Sequence, residues 1–160
     1  MLHCASRNAL IGSAASELKA LGGQSAFNRD SNPEPSVFQQ THPILGTRDV
    51  RRAIEFYTHQ LGFELAFKDN ADAPNYVGFR RDAVELHMQF QFEHEMGTTC
   101  LRLLVSDPDA LFSEYREHGV ECTPNAVRDT PWGTREFALY DLDRNALTFY
   151  RQLTRAEAQR

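Results

Sequence analysis

Apolar residues recur along the chain at two spacings. In "AVELHMQF" they alternate, so that Val84, Leu86, Met88 and Phe90 fall on one face of an extended segment and Glu85, His87 and Gln89 on the other. In "RDVRRAIEFYTHQLGF" they return at helical spacing, at Val50, Ile54, Tyr57 and Leu61, as a helix with one buried stripe requires. Asp49 stands before that helix as an N-cap and Gly62 after it as a C-cap. The layout repeats in "SDPDALFSEYREHGVE": Asp107 caps, Pro108 takes the first helical position, Leu111 and Tyr115 carry the stripe, and Gly119 closes it. Strand patterns flank both helices. "HPILGT" precedes the first, and "FELAFK", "YVGFRR" and "AVELHMQF" follow it; "CLRLLVS" precedes the second, and "CTPNAVR", "REFALY" and "ALTFYR" follow it. The pattern predicts β-α-β-β-β used twice, an α+β fold. With helices on one side of each sheet, the face carrying Glu85, His87 and Gln89 looks either at solvent or into a cleft.

The stretch "NRDSNPEPSVFQQ", rich in turn formers, reads as a linker ending near Gln40. The expected organisation is an N-terminal extension and linker over residues 1–40, a domain over 41–153 with modules at about 41–92 and 98–153, and a tail at 154–160. A chain of 160 residues buries a core without disulfides, roughly two-thirds of its unfolded surface. Cys4, Cys100 and Cys122 are odd in number and form no C-x-x-C pair, which points to a reducing, cytoplasmic setting. A net charge of −5 without a Lys/Arg run argues against nucleic acid and leaves room for a cationic partner. No apolar run approaches the roughly 20 residues of a membrane span, and the first residues lack the apolar stretch of a signal peptide.

The only tryptophan, Trp132, sits in the turn "PWG" between Asp129 and the strand "REFALY". Two readings compete: a core ring closing an apolar layer, or an aromatic wall at the mouth of a site. Nothing else announces chemistry; G-x-S-x-G, P-loop and G-x-G-x-x-G motifs are absent. Glu85 or Glu136 would serve as a general base, but neither has a visible electrophile beside it.

"RDVRRAIEFYTHQLGF", "VGFRRDAVELHM" and "PWGTREFALYDLDRN" together resemble the vicinal oxygen chelate superfamily of glyoxalases, bleomycin-resistance proteins and extradiol dioxygenases, and most closely its bleomycin-resistance branch. The resemblance implies paired βαβββ modules whose curled mixed sheets surround a ligand cleft. It implies binding without catalysis: a small planar cationic drug, such as a bleomycin-type glycopeptide, held against Trp132 and Tyr76, with Glu85, His87, Glu136, Tyr140 and Tyr150 facing the same space. It also implies a homodimer with shared clefts, with Pro43 at the position where the first strand exchanges between chains. In the turn Asp141-Leu142-Asp143-Arg144-Asn145, Arg144 replaces the glycine usual in the branch, which predicts a wider hairpin. Metal-using members take one ligand from each of four strands, which here are His42, Glu85, Cys100 and Thr148. The last two are poor ligands for such a site, so no cofactor or tightly held divalent ion is expected. His87 would complete an alternative His-Glu-His set. Two other functions stand beside drug binding: a metal-dependent enzyme of the superfamily, glyoxalase-like or dioxygenase, and an accessory domain acting through residues 1–40.

Overall fold

Two N-cap aspartates set the positions of the two helices. In the computed structural model, which describes residues 38–159, the Asp49 carboxylate accepts from the Arg52 N–H at 3.1 Å and starts α1 (Val50–Glu55). Asp107 accepts from the N–H groups of Asp109 and Ala110 and starts α2 (Pro108–Glu117). Gly62 and Gly119 end the two helical segments at φ of +69° and +77°, where a side chain would be strained. The first helix departs from expectation in its last turn. Phe56–Gln60 winds as a π turn, and the extra residue sends the adjacent rings of Phe56 and Tyr57 both into the core.

Around these helices run β1 (Ile44–Thr47), β2 (Glu64–Lys68), β3 (Tyr76–Arg81) and β4 (Val84–Phe90), then β5 (Cys100–Leu104), β6 (Arg128–Asp129), β7 (Thr134–Tyr140) and β8 (Ala146–Gln152). The α+β fold of two βαβββ modules is therefore present. Each module forms an open, mixed, four-stranded sheet, ordered β1-β4-β3-β2 and β5-β8-β7-β6, with the first strand parallel to the last and the rest antiparallel. "CTPNAVR" forms less strand than expected. Only Arg128 of that stretch pairs, together with Asp129, while Cys122 makes an isolated bridge to Leu139. Pro124 between them has no N–H to give a ladder.

The repeat extends to the packing. Tyr57 stacks on Phe79 at 4.9 Å in the first module; in the second, Tyr115 meets Phe149 edge-on at 5.4 Å and Phe137 stacks on Phe149. These rings, with Leu45, Leu61, Leu86, Met88, Leu139 and Leu147, form one buried cluster across both modules. A polar clasp joins the modules as well. Asn145 donates to the Gly46 carbonyl at 3.0 Å, and the Asp143 carboxylate accepts from the Thr47 hydroxyl at 2.6 Å. The residues Gln39–Arg160 form one compact unit. Residues 1–37, nearly all of the expected extension, lie outside the described residues, and no described helix is long and apolar enough to cross a membrane.

The hairpin at Asp141–Asn145 does not widen. Arg144 adopts the left-handed conformation itself, at φ +67°, and the tight turn is kept by the N–H groups of Asp143 and Asn145 donating to the Asp141 carboxylate. A left-handed side-chain residue costs about 1 kcal/mol, part of which glycine gives back through its greater unfolded-state freedom. Arg144→Gly should therefore raise stability by about 0.5 kcal/mol, read from urea unfolding midpoints at constant slope; a lower midpoint would show that the Arg144 side chain matters more than its backbone.

Candidate ligand-binding site

Alternation in β4 works as the sequence predicts. Leu86 and Met88 are buried against the helices while Glu85 and His87 stand half-buried on the opposite face. Register then places Gly78 of β3 opposite His87 and Tyr76 opposite Gln89. The Tyr76 hydroxyl meets His87 Nδ1 at 2.7 Å, and His87 Nε2 lies 3.1 Å from Glu85 Oε1. Arg80 reaches the other Glu85 oxygen at 2.7 Å. These hydrogen bonds, from Arg80 first and His87 second, hold the Glu85 carboxyl below the usual carboxylate range.

Phe67 belongs to this cluster although period-2 reading of "FELAFK" puts it with Leu65 on the core side. A bulge between Leu65 and Phe67 turns the ring onto the polar face, where it stacks on Tyr76 at 5.9 Å and meets His87 edge-on at 5.2 Å. It lies over Gly78, where an added Cβ would stand 2.2 Å from the ring. A glycine in mid-strand was the signal in the sequence for this close approach.

The second module builds a matching face. Thr130 and Thr134 lock the "PWG" turn: the Thr130 N–H donates to the Thr134 carbonyl at 2.8 Å, and the Gly133 N–H to the Thr130 carbonyl, with Gly133 at φ +84°. Trp132 is left 61% exposed, so it is not a core ring. Next along the strand, Glu136 is buried to 5% exposure and accepts from the Thr134 hydroxyl at 2.8 Å and from Arg102 at 2.9 Å. Burial works to raise the Glu136 pKa, but the Thr134 and Arg102 hydrogen bonds outweigh it and the carboxyl lies below its ordinary value; the Trp132 indole adds a smaller pull the same way. Opposite Glu136 stands Tyr150, with the Arg102 guanidinium over its ring at 4.4 Å.

The expected site residues thus fall into two clusters on different sheets, which share no strand pairing among the described residues. Tyr76, Glu85 and His87 form one; Trp132, Glu136 and Tyr150 form the other. Tyr140 joins neither cluster. It is exposed at the far end of β7, opposite Ala146 and about 13 Å along the strand from Glu136. Sequence reading missed Phe67, which the bulge moves, the cross-strand partners Arg80 and Arg102, which depend on register, and Thr134, the neighbour of Glu136 on the same face of β7. A groove of about 510 Å³ between the β3–β4 turn, β5 and α2 holds none of the expected residues; of its charged groups, Arg81 and Glu114 bind each other at 2.9 Å and Asp107 caps α2, while Asp82 stands in the turn.

The four metal positions do not assemble within the chain. Cys100 and Thr148 stand in the second sheet, opposite Ala146 and Arg102 respectively, and the only group of possible ligands among the described residues is His42, Glu85 and His87.

Each of the paired βαβββ modules thus presents an aromatic-walled, carboxylate-bearing face. Residues 39–149 match the model of the Glyoxalase/Bleomycin resistance protein/Dioxygenase superfamily, and the chain belongs to that family. Bleomycin resistance proteins of Geobacillus stearothermophilus and Staphylococcus aureus are 27% identical to it over 128 residues, covering 71% of this chain and 97% of theirs. The bleomycin-binding protein of the bleomycin producer Streptomyces verticillus, solved with copper(II)-bleomycin, is 29% identical with a TM-score of 0.61, over 72% of this chain and 97% of that one. A glyoxalase-related enzyme from Clostridium phytofermentans, at 17% identity, shares the fold with a TM-score of 0.63 over 74% of this chain and 98% of that one.

Proposed function

We propose that the chain is a non-catalytic binding protein that sequesters a planar cationic drug of the bleomycin type. One observation carries this reading: the sole tryptophan is presented to solvent by a locked turn, beside a buried, ionised Glu136. An aromatic face over a carboxylate suits a flat cation through stacking and charge. Both carboxylates already have an arginine partner. Arg80 and Arg102 are exposed side chains, at 59% and 46%, so a ligand cation displaces either one into water at little cost. The names of the resistance proteins and the bleomycin complex of the relative support the same class of ligand.

Each chain offers two half-sites, so we propose a homodimer in which a face of one protomer meets the complementary face of the other, with β1 kept beside β4 of its own chain. The free thiols of Cys100 and Cys122 fit a cytoplasmic protein. The metal-dependent enzyme reading has less support, because the Cys100 thiol and the neutral Thr148 hydroxyl are poor third and fourth ligands beside His42 and Glu85. Titration of the full chain with bleomycin, followed by calorimetry and Trp132 fluorescence, should saturate with a quenched or shifted emission, and the same sample should sediment as a dimer. No heat and no change in emission with bleomycin would remove the drug-binding reading, while a monomer that still binds would remove only the shared cleft.

A further inference from the structure

We propose that His42, Glu85 and His87 form a binding site for one divalent transition-metal ion, built within the first module alone. The inference goes beyond drug binding and does not depend on it. It also departs from the four-strand arrangement that the family resemblance implies, since His87 replaces the two positions that the second module fills poorly.

The geometry brings the three donors together from two strand regions. His87 Nε2 lies 3.1 Å and His42 Nε2 4.0 Å from the same Glu85 oxygen, and all three ligand atoms fall within 4.8 Å of one another. Nitrogen and oxygen donors on a zinc-like ion, at bond lengths of about 2.0 to 2.2 Å, stand roughly 3 to 3.5 Å apart. The Glu85–His87 pair already meets that spacing, because alternate residues of one strand face the same way. Only His42 must close in. It lies just before β1, beside the start of β4, and its Nε2 is met by the Gln40 amide nitrogen, which the ion would displace.

Two features separate this group from an ordinary surface cluster. The side chains of Glu85 and His87 are only 16% and 14% exposed, and the rings of Phe67 and Tyr76 pack edge-on against His87, so water competes poorly there. Each also has the outer partner that metal ligands need. The Tyr76 hydroxyl holds His87 Nδ1 at 2.7 Å and Arg80 holds the second Glu85 oxygen at 2.7 Å, fixing ring and carboxylate. Without an ion, a proton on His87 Nε2 donates to Glu85. With an ion, the neutral ring changes tautomer, its Nδ1–H donates to the Tyr76 oxygen, and Nε2 offers its lone pair. Two imidazoles and one carboxylate favour zinc, nickel, cobalt or copper over magnesium or calcium. Three ligands on one side leave coordination positions for water or for a donor atom of a bound molecule.

The test uses full-length protein stripped with chelator, dialysed, and titrated calorimetrically with Zn²⁺ and separately with Ni²⁺, with Co²⁺ absorption as a second readout. One ion should bind per chain, and the cobalt spectrum should lack a thiolate charge-transfer band. His87→Ala and His42→Ala should each weaken binding at least tenfold, with Glu85→Gln as the conservative third variant and melting curves to show that each is folded. Cys100→Ser and the exposed-histidine control His59→Ala should titrate like the parent. Absence of binding would overturn the proposal, and so would ligand variants that titrate like the parent. Loss of binding in Cys100→Ser would also overturn it, by moving the ion to the family's four-strand set or to a lone thiol.

Discussion

Asp141→Ala should cost about 3 to 4 kcal/mol of stability, lowering the melting temperature by roughly 10 to 15 °C. The buried Asp141 carboxylate accepts four hydrogen bonds. Oδ2 takes the Tyr57 hydroxyl at 2.9 Å and the Asn145 amide at 2.7 Å, while Oδ1 takes the backbone N–H groups of Asp143 at 2.9 Å and Asn145 at 2.8 Å. Truncation leaves several of these donors buried without an acceptor, which costs more than the lost bonds alone. It also loosens the turn whose Asp143 and Asn145 hold the first module through Thr47, Arg52 and Gly46. Burial first, and the Asp141 charge second, push the Tyr57 phenol well above its ordinary pKa, so this proton stays on the hydroxyl and points at Asp141 throughout the neutral range.

Asp141→Asn separates the two halves of that argument. Its oxygen still serves the backbone donors of the turn, but its NH₂ group then faces the Asn145 amide, a donor against a donor, and only the Tyr57 hydroxyl can turn round to accept. A loss of roughly half the alanine effect is expected. Thermal unfolding of both variants decides the matter: an Asp141→Ala protein melting within about 2 °C of the parent would show that the clasp contributes nothing to holding the modules together.

The parts of this molecule legible in the sequence are those governed by local period. Helical spacing, the caps at Asp49 and Asp107 and the alternation of β4 each depend on a few neighbouring residues, and all appear in the structure where expected save the π turn that ends the first helix. The family followed from "PWGTREFALYDLDRN" because that segment combines a locked turn, a strand and a second turn in fixed order. What escaped depends on distant partners or on a local break in period. Phe67 changed faces through a bulge that no alternation rule reports. Arg80 and Arg102 carry no local signal of a role, and only register sets them beside Glu85 and Glu136. Arg144 bears a conformation that its residue type argues against, since the pull of Asp141 on the turn outweighs the strain. The three-residue donor group at His42 was only partly visible: the spacing of Glu85 and His87 in one strand is local, whereas the approach of His42 comes from the parallel pairing of β1 with β4.

Trp132→Ala should weaken bleomycin binding by about 1 to 3 kcal/mol, some 5- to 150-fold, while leaving the melting temperature nearly unchanged. The stability half follows from exposure. A ring 61% open to water fills no cavity, and a surface substitution of this kind stays within about 0.5 kcal/mol, against about 3 to 5 kcal/mol for a core ring. The binding half follows from position, because the locked turn presents the indole without the cost of ordering a loop when the ligand arrives. Trp132→Phe should recover part of the loss, since a smaller ring still stacks but no longer offers its N–H toward Glu136. Calorimetric titration of the two variants, with circular dichroism melts of the same samples, reads both quantities. Unchanged affinity in Trp132→Ala at an unchanged melting temperature would mean that the exposed ring faces solvent only, and the drug-binding reading would lose the observation on which it stands.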